Sequence, residues 1–267
     1  MAIPPDAEAE WADDLAAYVQ DEDPDSYAVT PRVAAIQALH ELLDAYGLKA
    51  LPPLLSAAST RVSESDAARQ RGSAHWWRTR EAALLVLWCA APLLARASRR
   101  KKKKAAAAAA ASLDFDVEGT FCSLLLADAS PTIGSSSGGA TQPCTQQPPL
   151  LRARALGTAA RFSPQLCGPS IEQLLGACLG ALGADSPAEL RIASCRALHM
   201  LAGGDSDSGG SALESLAALA GCEGRSGDTV GGSSATTGVV EPLLRAAVGT
   251  LMPPLVALLT LDCEDAL

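Results

Sequence analysis

The 267-residue chain is 48% hydrophobic and only 4% aromatic, a composition rich in Ala and Leu that favours closely packed helices. Its formal net charge of −9 is unevenly distributed, because nine of the thirty acidic residues lie within residues 1–31, which contain no Lys or Arg. The remaining twenty-one acids equal the twenty-one bases, which excludes a uniformly acidic protein and indicates a local acidic feature.

The first predicted feature is an acidic loop over residues 1–31, which also holds the end of a preceding repeat. A run of carboxylates attracts Lys- and Arg-rich partners over about a Debye length, and the aromatic residues of the stretch would anchor it to a scaffold. We therefore predict a cargo-binding set of six carboxylates. They are Asp13, Asp14, Asp21, Glu22, Asp23 and Asp25. The alternative is a solvated loop with no partner.

A pattern of a turn signal, an Arg and then aliphatic residues at helical spacing recurs along the rest of the chain. It begins in "TPRVAAIQAL", where Thr30-Pro31 is a helix start signal, and continues in "WWRTREAALLVL", "PPLLRARALGTAA" and "SPAELRIASCRAL". The predicted structural repeat positions are the Arg residues and two tryptophans that we expect to pack between repeats. They are Arg32, Arg80, Arg154, Arg191, Trp76 and Trp77.

Other helical stretches alternate with these, among them "ALPPLLSAASTRV" and "SIEQLLGACLGALG", so that each unit has two helices. Without the low-complexity stretches, the Arg spacing approaches the roughly 40–47 residues of HEAT units. No run reads as a strand. The sequence thus predicts an all-α HEAT-repeat α-solenoid, a right-handed superhelix segment of about four two-helix units.

The predicted boundaries separate helical repeats from compositionally biased inserts. They are 1–31 as the acidic loop, 32–98 as HEAT helices, 99–112 as a basic and poly-Ala insert, 113–133 as a HEAT helix, 134–147 as a Gly/Ser/Gln insert, 148–202 as HEAT helices, 203–238 as a Gly/Ser-rich insert with a short helix, and 239–267 as a partial terminal repeat. The basic run 99–104 also fits a nuclear localisation or nucleic-acid patch. Its poly-Ala continuation favours an insertion between helices.

No pattern in the chain predicts catalysis or a cofactor. The eight Cys form no C-x-x-C, which favours buried free thiols in a reducing compartment, and the three His lie far apart in sequence. The "DEDPD" stretch lacks the Gly and terminal Glu of a calcium-binding EF-hand loop, and the Gly-rich stretches contain no phosphate-binding motif. We therefore expect no enzyme activity, no metal site and no cofactor.

No membrane contact is predicted either. The start of the chain shows no secretory signal, and the longest apolar run, 82–95, contains Pro92 and is shorter than the roughly 20 residues that cross a bilayer.

The order of landmarks resembles the importin-β (karyopherin-β) family of nuclear transport receptors. The landmarks are Trp11 with the acids that follow it, "VQDEDPDSY" before "TPRVAAIQALHELL", "GSAHWWRTREAALLVLW", "CSLLLADASP", "LLRARALGTAARFSPQL" and "LRIASCRAL". The resemblance covers residues 11–98 and 113–201 well and the last third loosely. It departs at the Lys/Ala insert and at two Gly/Ser inserts.

The resemblance implies a receptor that carries basic cargo, notably histones and ribosomal proteins, into the nucleus and shuttles between cytoplasm and nucleus. The family responds to the GTPase Ran, mostly through repeats with no counterpart here, so we expect a segment of a longer superhelix that binds no nucleic acid directly. The alternative function is a HEAT scaffold subunit of another complex, such as a phosphatase regulatory subunit, which would not need the acidic run.

Overall fold

The computed structural model describes residues 2–22, 30–104, 115–131 and 147–202, and within these ranges all regular secondary structure is helical. The helices are α1 (Pro5–Asp13), α2 (Leu15–Asp21), α3 (Pro31–Tyr46), α4 (Leu51–Gln70), α5 (Trp76–Lys104), α6 (Val117–Thr120), α7 (Leu126–Ala129), α8 (Pro149–Phe162), α9 (Gly168–Ala181) and α10 (Ala188–Leu201). A π-helical turn, Phe121–Leu125, joins α6 to α7, so that 117–129 form one continuous helix.

The helices pack in two layers. The first contains α3, α5, α8 and α10, with α5 contacting α3 and α8, and α8 also contacting α10. The second contains α4, α7 and α9, where α4 packs on α5, α7 on α8, and α9 on α8 and α10. Each layer thus adds one helix per unit, and the predicted all-α solenoid-like fold is confirmed.

Local sequence signals explain the bounds of α3. The Thr30 hydroxyl accepts a hydrogen bond from the Val33 N–H at 3.2 Å, and Pro31 occupies the first helical position, where no intrahelical N–H is lost. The helix ends at Gly47, whose φ of 55° lies in the left-handed region that favours glycine.

Small and aliphatic side chains fill the space between the layers. Leu84 of α5, Leu156 of α8 and Leu190 of α10 are fully buried. Ala90, Ala155 and Ala197 are also fully buried, and their small side chains let neighbouring helices approach closely. The Ala- and Leu-rich composition therefore accounts for the core with few aromatic residues.

The structure differs from the sequence prediction at two places. The 1–31 stretch, predicted as an acidic loop and the end of a preceding repeat, is helical in α1 and α2, because its apolar residues pack on the protein and Asp14 caps the second helix. The insert predicted from residue 99 begins as a continuation of α5, which ends at Lys104. Residues 105–112, 134–146 and 203–267 lie outside the described residues.

The window 76–98 of α5 is, among the described residues, the single candidate for a membrane-spanning helix by length and hydropathy. Half of that window is buried against other helices, and core helices commonly pass the same test. Its first turns carry Arg80 and Glu81, which are buried and paired with side chains of other helices. These contacts give α5 a place in the helical core.

Candidate functional site

Helices α1 and α2, here called the N-terminal helix pair, are anchored by aromatic side chains. Trp11 is 2% exposed and its ring meets the Tyr18 ring edge-on, with centroids 5.5 Å apart. The Trp11 Nε1–H donates a hydrogen bond to Asp21 Oδ2 at 3.0 Å, and the Glu8 carboxylate pairs with Arg78 of α5. The N-terminal helix pair is therefore packed on the rest of the protein, and its carboxylates are held in fixed positions.

Four charged side chains, here called the buried quartet, join the N-terminal helix pair to three helices of the first layer. Glu81 of α5 accepts from Arg32 of α3 at 2.5 and 3.2 Å and from Arg154 of α8 at 2.9 Å. Glu22, directly after α2, accepts from Arg32 at 3.0 Å and also from Arg154. Two guanidinium groups and two carboxylates thus close a ring in which both acids contact both bases.

The quartet is neutral as a whole, which makes its burial possible. Glu81 is 1% exposed, Arg32 4% and Arg154 9%. Burial on its own would raise the pKa of the Glu81 carboxyl, but Arg32 and Arg154 outweigh it and hold the pKa below its usual range. Arg32 also lies 5.8 Å from the Trp11 ring centroid, so the aromatic anchor covers one side of the quartet.

A second ion cluster links the two layers through Arg80. Its Nε donates to Asp128 of α7 at 2.6 Å, and its Nη1 donates to Asp66 of α4 at 2.5 Å. Arg80 and Asp128 are both buried, whereas Asp66 is 49% exposed. The Arg thus ties α5 to both second-layer helices that flank it.

The other predicted repeat positions differ in their surroundings. Trp76 and Trp77 are buried, and each lies under an Arg, with Arg69 4.9 Å from the first ring centroid and Arg78 5.6 Å from the second.

Arg191 is half-buried, and within the described ranges its Nε has no hydrogen-bond partner. The partner in a neighbouring repeat that HEAT packing predicts for Arg191 is therefore not found among these residues.

Three of the six predicted cargo-binding carboxylates have hydrogen-bond partners within the chain, and their part in cargo binding stays a prediction. Asp14 caps α2 by accepting from the N–H groups of Ala16 and Ala17, at 2.8 and 3.3 Å. Asp21 is buried against Trp11, and Glu22 belongs to the quartet. Their charges therefore stabilise the fold directly.

The remaining predicted carboxylates are Asp13, Asp23 and Asp25. Asp13 is exposed at the end of α1. Asp23 and Asp25 lie outside the described residues.

Asp13 belongs to an acidic surface that sequence reasoning did not single out. Asp6, Glu10 and Asp13 follow one another at helical spacing on α1, and all three are exposed, while Trp11 of the same helix points into the core. The exposed Asp14 carboxylate is adjacent in sequence. We call these four residues the acidic face; residues 2–22 supply no Lys or Arg to neutralise it.

Two other site types were considered in the described part of the chain. No group of three or more His, Cys, Asp or Glu side chains there is arranged to hold a metal ion. An open groove of about 370 Å³ lies where α3 meets α4, lined by apolar side chains that include Leu42, Tyr46 and Leu54. The groove offers no convergent polar groups, so the acidic face is the stronger candidate for a site.

Comparison with known proteins shows a partial similarity to a nuclear import receptor. No family model matches the chain. Importin-9 of Drosophila melanogaster is 32% identical over 73 residues, which are 27% of this chain and 7% of the importin. The chain thus covers a small part of that relative, and the similarity supports an importin-like relationship over about a quarter of the chain.

Proposed function

We propose that the chain is a HEAT-type segment of an importin-9-like nuclear import receptor, which binds basic protein cargo and acts by binding rather than by catalysis. The partial similarity to importin-9 and the solenoid-like packing support this proposal. Histones and ribosomal proteins are the cargo class, Ran-dependent release completes the cycle, and the receptor shuttles between cytoplasm and nucleus.

The acidic face is the observation that carries the cargo assignment. Asp6, Glu10 and Asp13 stand on one side of α1, and the opposite side is anchored through Trp11 and the Glu8–Arg78 ion pair. A fixed row of exposed carboxylates, in a segment that supplies no Lys or Arg of its own, produces a negative potential that steers a Lys- and Arg-rich partner toward it.

The test is the association rate of a core histone dimer with two charge variants of equal size. The first variant neutralises the acidic face as D6N, E10Q, D13N and D14N, where Asn at position 14 keeps the capping oxygen that α2 needs. The second, matched variant removes four exposed carboxylates from other parts of the chain as E41Q, D44N, E172Q and D185N.

We expect the first variant to lower the association rate by about tenfold or more at low salt, and the matched variant to change it far less. The difference should shrink as salt rises, because exposed charges are screened. Equal effects of the two variants would assign binding to net charge alone and would refute the proposed site. Circular dichroism checks that both variants keep their helix content.

A HEAT scaffold subunit of another complex is the second candidate function. The internal partners of Asp14, Asp21 and Glu22 favour it, since they give half of the predicted acidic set a structural role. In that case neither charge variant would affect histone association, and the native chain would bind histones no better than other acidic proteins of similar charge.

A further inference from the structure

Two cysteines from different helices meet at one hydroxyl group. Cys122 lies in the π-helical turn between α6 and α7, and Cys167 directly precedes α9. The Sγ of Cys167 lies 3.5 Å from Ser170 Oγ, and the Sγ of Cys122 lies 4.0 Å from the same oxygen. Both cysteines are free and exposed, in contrast to the buried Cys89 and Cys178.

The side chain of Glu118 brings these two segments together. Its carboxylate accepts hydrogen bonds from the Cys167 N–H and from the Cys167 thiol, each at 3.1 Å, and from the Ser170 hydroxyl. Glu118 and Cys122 are four residues apart in the continuous helix 117–129, so both lie on the side that faces Cys167. The start of α9 is thereby fixed opposite Cys122.

The two sulfurs lie near each other because they share one contact. Each sulfur contacts Ser170 Oγ, so the two sulfurs can be at most about 7.5 Å apart, which is the sum of the two contact distances. A disulfide needs a sulfur–sulfur bond of about 2 Å, which requires rotation of both side chains and a small shift of one segment. A π-helical turn departs from the regular α-helical hydrogen-bond pattern, and such turns occur often at functional sites.

We propose that Cys122 and Cys167 form a redox-responsive modification site, in which a small disulfide such as oxidised glutathione converts the two thiols into an intramolecular disulfide. The thiolate of Cys167 attacks one sulfur of oxidised glutathione and releases one glutathione thiolate. The thiolate of Cys122 then attacks the Cys167 sulfur of the mixed disulfide and releases the second. The chain loses two electrons, and the two thiol protons pass to the two released glutathiones.

This reaction would link the helix 117–129 covalently to α9. The ring between positions 122 and 167 is long, so the cross-link constrains the unfolded chain strongly and should raise the melting temperature by about 5–10 °C. The sulfurs of Cys89 and Cys178 are buried and should not react under the same conditions. The proposal concerns a surface remote from the acidic face and does not depend on the proposed function.

The experiment treats the full chain with oxidised glutathione, blocks the remaining thiols by alkylation and maps the peptides by mass spectrometry. The expected result is a dominant peptide pair that links Cys122 to Cys167, together with the rise in melting temperature. C122S should abolish the link and the rise and leave Cys167 as a mixed disulfide with glutathione, whereas the control C195S on α10 should change neither. Only mixed disulfides in the native chain, a link of either cysteine to another position, or no reaction would overturn the proposal.

Discussion

Replacing Glu81 by Gln tests the buried quartet most sharply, because it removes one carboxylate and keeps the side-chain volume. In the native chain Glu81 contacts the guanidinium groups of Arg32 and Arg154 at 2.5–3.2 Å. After the substitution the two buried guanidinium groups would keep their contacts with the Glu22 carboxylate and would lose the compensating charge of Glu81. The ring would then carry a net positive charge at a buried site with little access to solvent.

The expected loss is about 3–5 kcal/mol in the free energy of unfolding, the range for removing one partner of a buried ion pair. The control is E64Q, which breaks the exposed pair of Arg61 and Glu64, whose side chains are 63% and 49% exposed. Exposed pairs of this kind contribute about 0.5 kcal/mol or less. Both substitutions replace a Glu by a Gln, so the difference between their losses in unfolding free energy reports the effect of burying the ion pair.

Urea unfolding followed by far-ultraviolet circular dichroism measures both effects. The double variant E81Q/R154M restores charge balance and leaves the Arg32–Glu22 pair, with its 3.0 Å contact, in place. We expect its loss of stability to be smaller than the sum of the two single losses by about 0.5–3 kcal/mol, as for residues in one network. Equal losses for E81Q and E64Q, or strict additivity in the double variant, would refute the quartet as a coupled unit.

Three further predictions follow from individual groups. Because Arg32 and Arg154 hold the pKa of Glu81 below its usual range in the folded chain, the ionised form of Glu81 stabilises the fold above the ordinary glutamate pKa of about 4.3. The stability difference between the native chain and E81Q should therefore narrow as pH falls below that value, and a difference that widens would contradict this. D14A should cost about 1 kcal/mol by urea unfolding and D14N almost nothing, since only Asn keeps the cap of α2; equal losses would assign the effect to charge. Burial raises the pKa of Cys89 to about 11 and that of Cys178 to about 12, so iodoacetamide at pH 8 should label the exposed Cys122 before either of them, and prior labelling of Cys89 would contradict this.

The fold was predictable because its signals are local. Helical periodicity, the Thr30-Pro31 start and the Ala- and Leu-rich composition all act within one or two turns, and they indicate a two-helix repeat without any knowledge of contacts. The exact residues at which helices start were harder to predict from the sequence. Ser186 precedes Pro187 as Thr30 precedes Pro31, yet α10 begins at Ala188 after Pro187 and has no side-chain cap.

The site was less predictable because its main contacts span long distances in sequence. Glu22 pairs with Arg154, 132 residues away, and Glu81 pairs with Arg32 and Arg154, which are 49 and 73 residues away. Counting charges in the acidic stretch does not separate carboxylates used inside the protein from those left at its surface. The one available signal was Glu81 itself, an acid at a core-facing position of an Arg-containing helix.

We propose that the acidic face contacts basic protein cargo. Zero-length cross-linking with a carbodiimide is a direct test of this contact. This reagent joins a carboxylate to an amine only where the two groups touch, so a mixture of the chain with a core histone dimer reports the contact residue by residue. The account predicts cross-links from histone lysines to Asp6, Glu10 and Asp13 that disappear at high salt. Cross-links that fall equally on the exposed Glu41, Asp44, Glu172 and Asp185, or their absence from α1, would contradict it.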